Sequence, residues 1–125
     1  MSIEPFIKCS QIKASLVFYT EILDFQVIRA PDPDPESFMS VYAFLEREGN
    51  FVHLSEHSGD GVFGGVIYVR VDDIDAVYKT FIENGLKVQD KGGLTMELVV
   101  QTWGMKEFAV ADPDGNRIRF GQNYG

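Results

Sequence analysis

Residues 102–120 read TWGMKEFAVADPDGNRIRF, and the five residues at their centre, Asp112-Pro113-Asp114-Gly115-Asn116, decide how this chain folds. Proline fixes φ at one position, while glycine and asparagine tolerate positive φ, so the five read as a turn. Lys106–Ala111 and Arg117–Gln122 flank it and read as the strands of a hairpin. An earlier stretch repeats the arrangement. YAFLEREGNFVHLS (42–55) lines up with FAVADPDGNRIRFG (108–121) at an offset of 66, which sets Ala43 against Ala109, Gly49 against Gly115 and Asn50 against Asn116.

Working outward, the match extends to the rest of the chain. ILDFQV (22–27) is similar to ENGLKV (83–88) at an offset of 61, and Ile12 and Ala14 meet Ile74 and Ala76 at an offset of 62. Three matches in one order and at nearly one spacing describe a duplicated unit. In the first copy Pro5–Cys9 reads as a strand, and Ser10 is a plausible helix N-cap. Ile12, Leu16, Tyr19 and Leu23 then form an amphipathic stripe. Phe25–Ile28 is a strand. Pro31, Pro33 and Pro35 make the next stretch a loop. Val41–Glu46 and Phe51–Ser55 are strands joined by a tight turn at Glu48-Gly49-Asn50. In the second copy Val66–Val71 is a strand and Asp72 or Asp73 caps a helix that carries Ile74, Val77, Tyr78 and Phe81. Asn84-Gly85 ends that helix. Leu86–Gln89 is expected as the next strand, a loop with Gly92-Gly93 follows, and Thr95–Gln101 is expected to contain extended structure. The chain is thus read as one α+β domain, 1–125. Two βαβββ modules, 1–60 and 64–125, form curled mixed sheets around a cleft, with Gly61, Gly64 and Gly65 in the linker.

Composition limits what such a domain does. Its 125 residues suit one domain able to bury a core without a metal or disulfide. The single cysteine, Cys9, permits no internal disulfide and fits a reducing compartment. No basic segment followed by an apolar one opens the chain, and no apolar run approaches the ~20 residues of a membrane span, so a cytoplasmic location is expected. The net charge of −8 argues against nucleic acid as a partner and would attract cations.

A duplicated βαβββ unit with DPDGN in its last hairpin resembles the vicinal oxygen chelate superfamily. That group includes glyoxalase I, extradiol dioxygenases, and fosfomycin- and bleomycin-resistance proteins. IKASLVFYTEILDF is similar to the family's first helix region, VDDIDAVYKTFIENGLKV to its second, and the Trp-Gly pair in TWGMKEF to the bleomycin-resistance branch. The resemblance implies four metal-ligand positions, two in the first strand and two in the last strand of the modules. Here they fall at Glu4, Val66, His53 and Arg119. Valine has no donor atom and arginine stays protonated, so the set is poor for a divalent metal. No metal or other cofactor is therefore expected, and no catalytic residue is assigned. The alternative is a divalent-metal enzyme with displaced ligands, for which Glu56 and His57 are candidates.

What remains is binding. The chain holds ten Phe, five Tyr and one Trp. Phe38, Phe63 and Trp103 fall at loops, where aromatic rings either plug the core or stack on a planar ligand. Bleomycin-resistance proteins sequester a flat cationic drug at a dimer cleft with aromatic and acidic groups. The resemblance therefore implies a homodimer, a bleomycin-like small-molecule partner, and ligand-binding roles for Phe38, His53, Asp60, Phe63, Trp103, Glu107 and Arg119. As a functional residue Arg119 would hold a ligand carbonyl or carboxylate. Three readings stay open: a non-catalytic binder of a planar or cationic ligand, a metal-dependent lyase, isomerase or dioxygenase, and an interaction domain that has lost its pocket.

Overall fold

The first module runs β1 (Phe6–Lys8), α1 (Ile12–Val17), β2 (Gln26–Arg29), β3 (Tyr42–Arg47) and β4 (Asn50–Ser55). The second runs β5 (Val66–Arg70), α2 (Ile74–Glu83), β6 (Met96–Val100), β7 (Met105–Ala111) and β8 (Arg117–Asn123). The structure is a computed structural model that describes residues 1–88 and 95–124. Each module makes one four-stranded mixed sheet, ordered β1-β4-β3-β2 and β5-β8-β7-β6. In each, the first strand pairs in parallel with the last and the other pairs are antiparallel. The sequence thus leads to the observed α+β class with two βαβββ units. No helix among the described residues is long and apolar enough to cross a membrane.

The duplication shows in side chains as well as topology. Asp73 caps α2 by accepting from the Ala76 N–H, as expected. Ser10 does not cap α1. Gln11 holds the N-cap position without a side-chain bond, and Ser10 turns instead to Asp114. The orphan N–H of Ile12 is met by Glu56 Oε2 at 2.8 Å, and that of Ile74 by Gln122 Oε1 at 2.9 Å. Glu56 and Gln122 follow the same pattern in the two modules, each reaching from the end of a last strand to the start of the module's helix.

The two hairpins differ in length, which corrects the gapless alignment. Glu48 (φ 51°) and Gly49 (φ 79°) form a two-residue loop that needs two positive φ values. The second hairpin uses all five residues Asp112–Asn116. His53 lies opposite Phe44, but Arg119 lies opposite Ala109. The equivalent of Ala43 is therefore Phe108, not Ala109, because a one-residue slip exchanges the two faces of a strand. A second correction concerns Leu86–Gln89. Leu86 closes the end of α2, its N–H bonding to the Phe81 carbonyl, and Leu86–Val88 join no ladder. Gln89 and the Gly92-Gly93 loop lie outside the described residues. The strand after α2 is β6, within the 95–101 stretch.

One core joins both modules. Ala43, Leu45, Val52 and Leu54 from the first sheet meet Phe108, Val110, Ile118 and Phe120 from the second, with Tyr19, Leu23, Ile74 and Phe81 from the helical segments. Full burial of such side chains contributes roughly 1.5–3 kcal/mol each. The opposite face of each sheet points away from this core. The DPDGN turn fastens the modules together. Asp112 accepts from the Tyr19 hydroxyl at 2.7 Å and from three N–H groups of its own turn. Asn116 donates to the Lys8 carbonyl and accepts from the N–H groups of Gly64 and Gly65. From the other side, Arg47 donates to the Leu23 carbonyl and lies 5.2 Å from the centre of the Phe81 ring.

Candidate functional site

The outward face of the first sheet is aromatic. Parallel pairing puts Phe6 beside His53, and antiparallel pairing puts Phe44 on the other side. The Phe6 ring stacks on the imidazole at 4.2 Å and 5°. Both ring nitrogens of His53 have partners: Glu4 Oε1 lies 2.8 Å from Nε2, and the Tyr42 hydroxyl lies 2.6 Å from Nδ1. A neutral imidazole that donates from Nε2 and accepts at Nδ1 satisfies both. Phe44 stacks on Phe51 at 5.2 Å and extends the face.

The second sheet presents the equivalent place with different chemistry. Tyr68 pairs with Arg119 as Phe6 pairs with His53. Glu107 is buried, yet it accepts from the Tyr68 hydroxyl at 2.5 Å and from Arg119 Nη2 at 2.9 Å. Burial alone would push its carboxyl up. Hydrogen bonds from Tyr68, Arg119 and Trp103 outweigh that and hold it below the ordinary glutamate value. Tyr68 shifts the other way: burial first, then the Glu107 bond, keeps its phenol protonated beyond the usual range. Tyr68 reaches Glu107 by crossing β8 at Gly121, where an added Cβ would collide with the phenol. Arg119 lies 5.3 Å from the Tyr68 ring centre.

The seven sequence-predicted binding residues fall into separate groups. Trp103, Glu107 and Arg119 belong to the second outward face, with Trp103 exposed on the β6–β7 turn. His53 belongs to the first. Phe38 is exposed and stacks on His57 at 3.9 Å, on the first module's loops. Asp60 accepts from the Ser55 hydroxyl, and Phe63 lies exposed in the linker. Two hollows flank β1 and β5. One, of about 280 Å³, is bordered by Phe6, Ile7, Val66 and Ile118. The other, of about 1090 Å³, runs between the N-terminal arm, the β3–β4 turn, β5 and the start of α2. None of the seven residues lines either hollow. Tyr68, Phe6, Tyr42 and Phe44 escaped the sequence reading. The signal was available for two of them, because Phe6 and Tyr68 are 62 residues apart, the spacing that relates Glu4 to Val66.

A divalent metal does not fit these residues. Glu4 and His53 meet, but Val66 offers no donor and Arg119 is held on Glu107. The displaced candidates fare no better: Glu56 caps α1, and His57 packs under Phe38. Among the described residues no group of three or more His, Cys, Asp or Glu side chains is placed to hold an ion.

Comparison with known proteins agrees with this architecture. The bleomycin resistance determinant encoded on transposon Tn5 superimposes with a TM-score of 0.77, at 21% identity over 98% of both chains. The bleomycin-binding protein of Streptomyces verticillus, solved with copper(II)-bleomycin, gives 0.72 at 21% identity, covering 100% of this chain and 96% of that one. A lactoylglutathione lyase from Agrobacterium tumefaciens gives 0.70 at 14% identity, covering 98% and 92%. At these identities the likeness is one of fold. No curated protein matches by sequence. A family profile matches residues 5–120, nearly the whole chain, and by that match the protein belongs to the Glyoxalase/Bleomycin resistance protein/Dioxygenase superfamily.

Proposed function

We propose that this chain is a small-molecule binding protein of the bleomycin-resistance type, which sequesters a planar ligand without chemistry. The observation that carries this reading is the pair of outward sheet faces. They present rings to solvent, Phe6 on one and Tyr68 and Trp103 on the other, with no metal donor set beside them among the described residues. Flat rings stack on such surfaces. Glu4, His53, Glu107 and Arg119 next to them are already paired, which suits holding a ligand more than moving its protons. Among the described residues no second wall covers either face, so the cleft is proposed to form in a homodimer. The bleomycin-binding relatives support the ligand class, and antibiotic resistance by sequestration in the cytoplasm is the corresponding role. A second reading, a metal-dependent lyase, isomerase or dioxygenase, has one observation in its favour, the contact between Glu4 and His53.

The test is calorimetric titration of metal-stripped protein with flat ligands, metal-free bleomycin among them, with sedimentation to give the assembly state. Saturable binding with ligand recovered unaltered supports sequestration. Ligand chemically changed in excess over protein, with activity restored by a divalent ion, establishes the metal-dependent reading instead.

A further inference from the structure

The chain as a whole carries a charge of −8, yet the outward face of the second sheet runs against that balance. Strand pairing places Arg70, Arg117 and Arg119 on this face. Glu107 lies among them on β7, where Arg119 and Tyr68 hold it.

Arg70 stands apart. Its contacts are Met105 Sδ at 3.9 Å, Asn123 Oδ1 at 3.5 Å and the Tyr68 ring, whose centre is 5.7 Å away. The polar two are long and therefore weak. No carboxylate of the described residues makes an ion pair with it. The Tyr68 ring thus has two guanidinium neighbours, one committed to Glu107 and one with donors to spare. Gly121 fixes the ring between them, since any side chain there would displace it.

Resting on the binding role proposed above, we infer that Arg70, Tyr68 and Arg119 recognise a carboxylate carried on an aromatic ring. The ligand ring lies against Tyr68, and its carboxylate takes the planar donor fork of Arg70. Arg70, Arg119 and Glu107 together carry one net positive charge, which matches a monoanion better than a phosphate dianion. The groove of about 1090 Å³ that Tyr68 and Arg70 help to line carries four carboxylates, Glu4, Glu48, Asp72 and Asp73, against the guanidiniums of Arg47 and Arg70, so the ligand carboxylate is placed on the sheet face toward Arg119, which does not line the groove. The preferred ligand is therefore an anion, although net charge alone favours a cation.

Two probes with one ring and opposite charges decide this: 2-naphthoate and 2-naphthylmethylammonium. Each is titrated by calorimetry and by the fluorescence of Trp103, the one tryptophan of the chain. Naphthoate is expected to bind about tenfold more tightly, an advantage that shrinks as salt is raised. In Arg70→Ala the two affinities become equal, while the exposed position leaves the urea midpoint unchanged. Tighter binding of the ammonium probe overturns the anion preference and leaves the binding role standing. Failure of both probes overturns the two together. An Arg70→Ala protein that keeps the tenfold ratio but associates less tightly with itself places Arg70 in a subunit contact, and that also overturns the inference.

Discussion

Replacing Tyr19 by Phe removes one hydroxyl from the seam between the modules, and the structure says what that hydroxyl does. It donates at 2.7 Å to Asp112 Oδ2, with Tyr19 1% and Asp112 6% exposed. A buried hydrogen bond to a charged group contributes about 1.5–3 kcal/mol. Asn116 Nδ2 still donates to Asp112 Oδ2 in the variant, so the acceptor keeps a partner and the cost is about 1–2 kcal/mol. Asp112→Ala is worse. It orphans the buried phenol and releases three N–H groups of the turn, at about 3–5 kcal/mol. That is a large share of the roughly 5–15 kcal/mol that holds a domain folded. In the Asp112→Ala background the Tyr19 hydroxyl has nothing left to donate to, so adding Tyr19→Phe costs about zero. Urea unfolding of the four proteins of this cycle measures the coupling, expected at about 1–2 kcal/mol. Additivity within about 0.5 kcal/mol would refute the seam. The alkaline arm gives an independent check. Burial first, then Asp112, pushes the Tyr19 phenol far above its ordinary value. The folded chain keeps a proton that the unfolded chain loses above about pH 10, so stability is full below that pH and falls above it. Tyr19→Phe flattens that fall.

Glu107 sets the matching acid arm. Because its bonds hold the folded carboxyl below the ordinary 4.5, its contribution is complete above that pH and is lost as pH falls through the lower folded value. Glu107→Gln should make urea midpoints less sensitive to pH below 4.5, and an unchanged acid slope would count against the network. Trp103→Ala, at an exposed position, should leave the fold intact and weaken a flat ligand by about 1–3 kcal/mol if the indole stacks on it; unchanged affinity in calorimetry removes Trp103 from the site. Gly121→Ala should push Tyr68 off Glu107 and destabilise by about 1–3 kcal/mol, read from urea unfolding, and a neutral result would mean the ring has room to move. Dialysis against chelator should leave Tm unchanged, whereas a drop would reveal a structural ion.

The parts of the fold legible in the sequence were those written in local chemistry. Asp112-Pro113-Asp114-Gly115-Asn116 announces a turn, Glu48-Gly49 a tighter one, and the repeat spacing carries one module onto the other. What failed was non-local. Leu86 is apolar and follows a helix-ending glycine, so it looks like the start of a strand, but its N–H is used to close α2. Ser10 has the right side chain for a cap, yet Glu56, 44 residues beyond Ile12 in sequence, supplies the bond to the Ile12 N–H. The candidate site follows the same rule. Counting strand positions set Glu4 and His53 side by side as candidates, and the structure puts their side chains 2.8 Å apart. It could not show that Glu107 and Tyr68 close around Arg119, because that cluster draws on three strands and on the absence of a side chain at Gly121.

The motif that makes the family recognisable turns out to be employed in holding the modules together. Asp112 and Asn116 are buried, and their polar atoms are directed at Tyr19, Lys8 and the linker glycines, with none directed at an outward face. A turn employed in this way belongs to the scaffold and not to a ligand site. Family membership therefore says little about the ligand. The positions that do speak to it are the ones facing outward on strands of the same register. Phe6 and His53 on one sheet correspond to Tyr68 and Arg119 on the other, the same scaffold carrying two chemistries. A protein could exchange every one of those side chains without disturbing the DPDGN seam. The specificity of this chain is accordingly to be sought in what its outward faces do not share with each other: a histidine sealed between rings on one, and a tyrosine between two guanidiniums on the other.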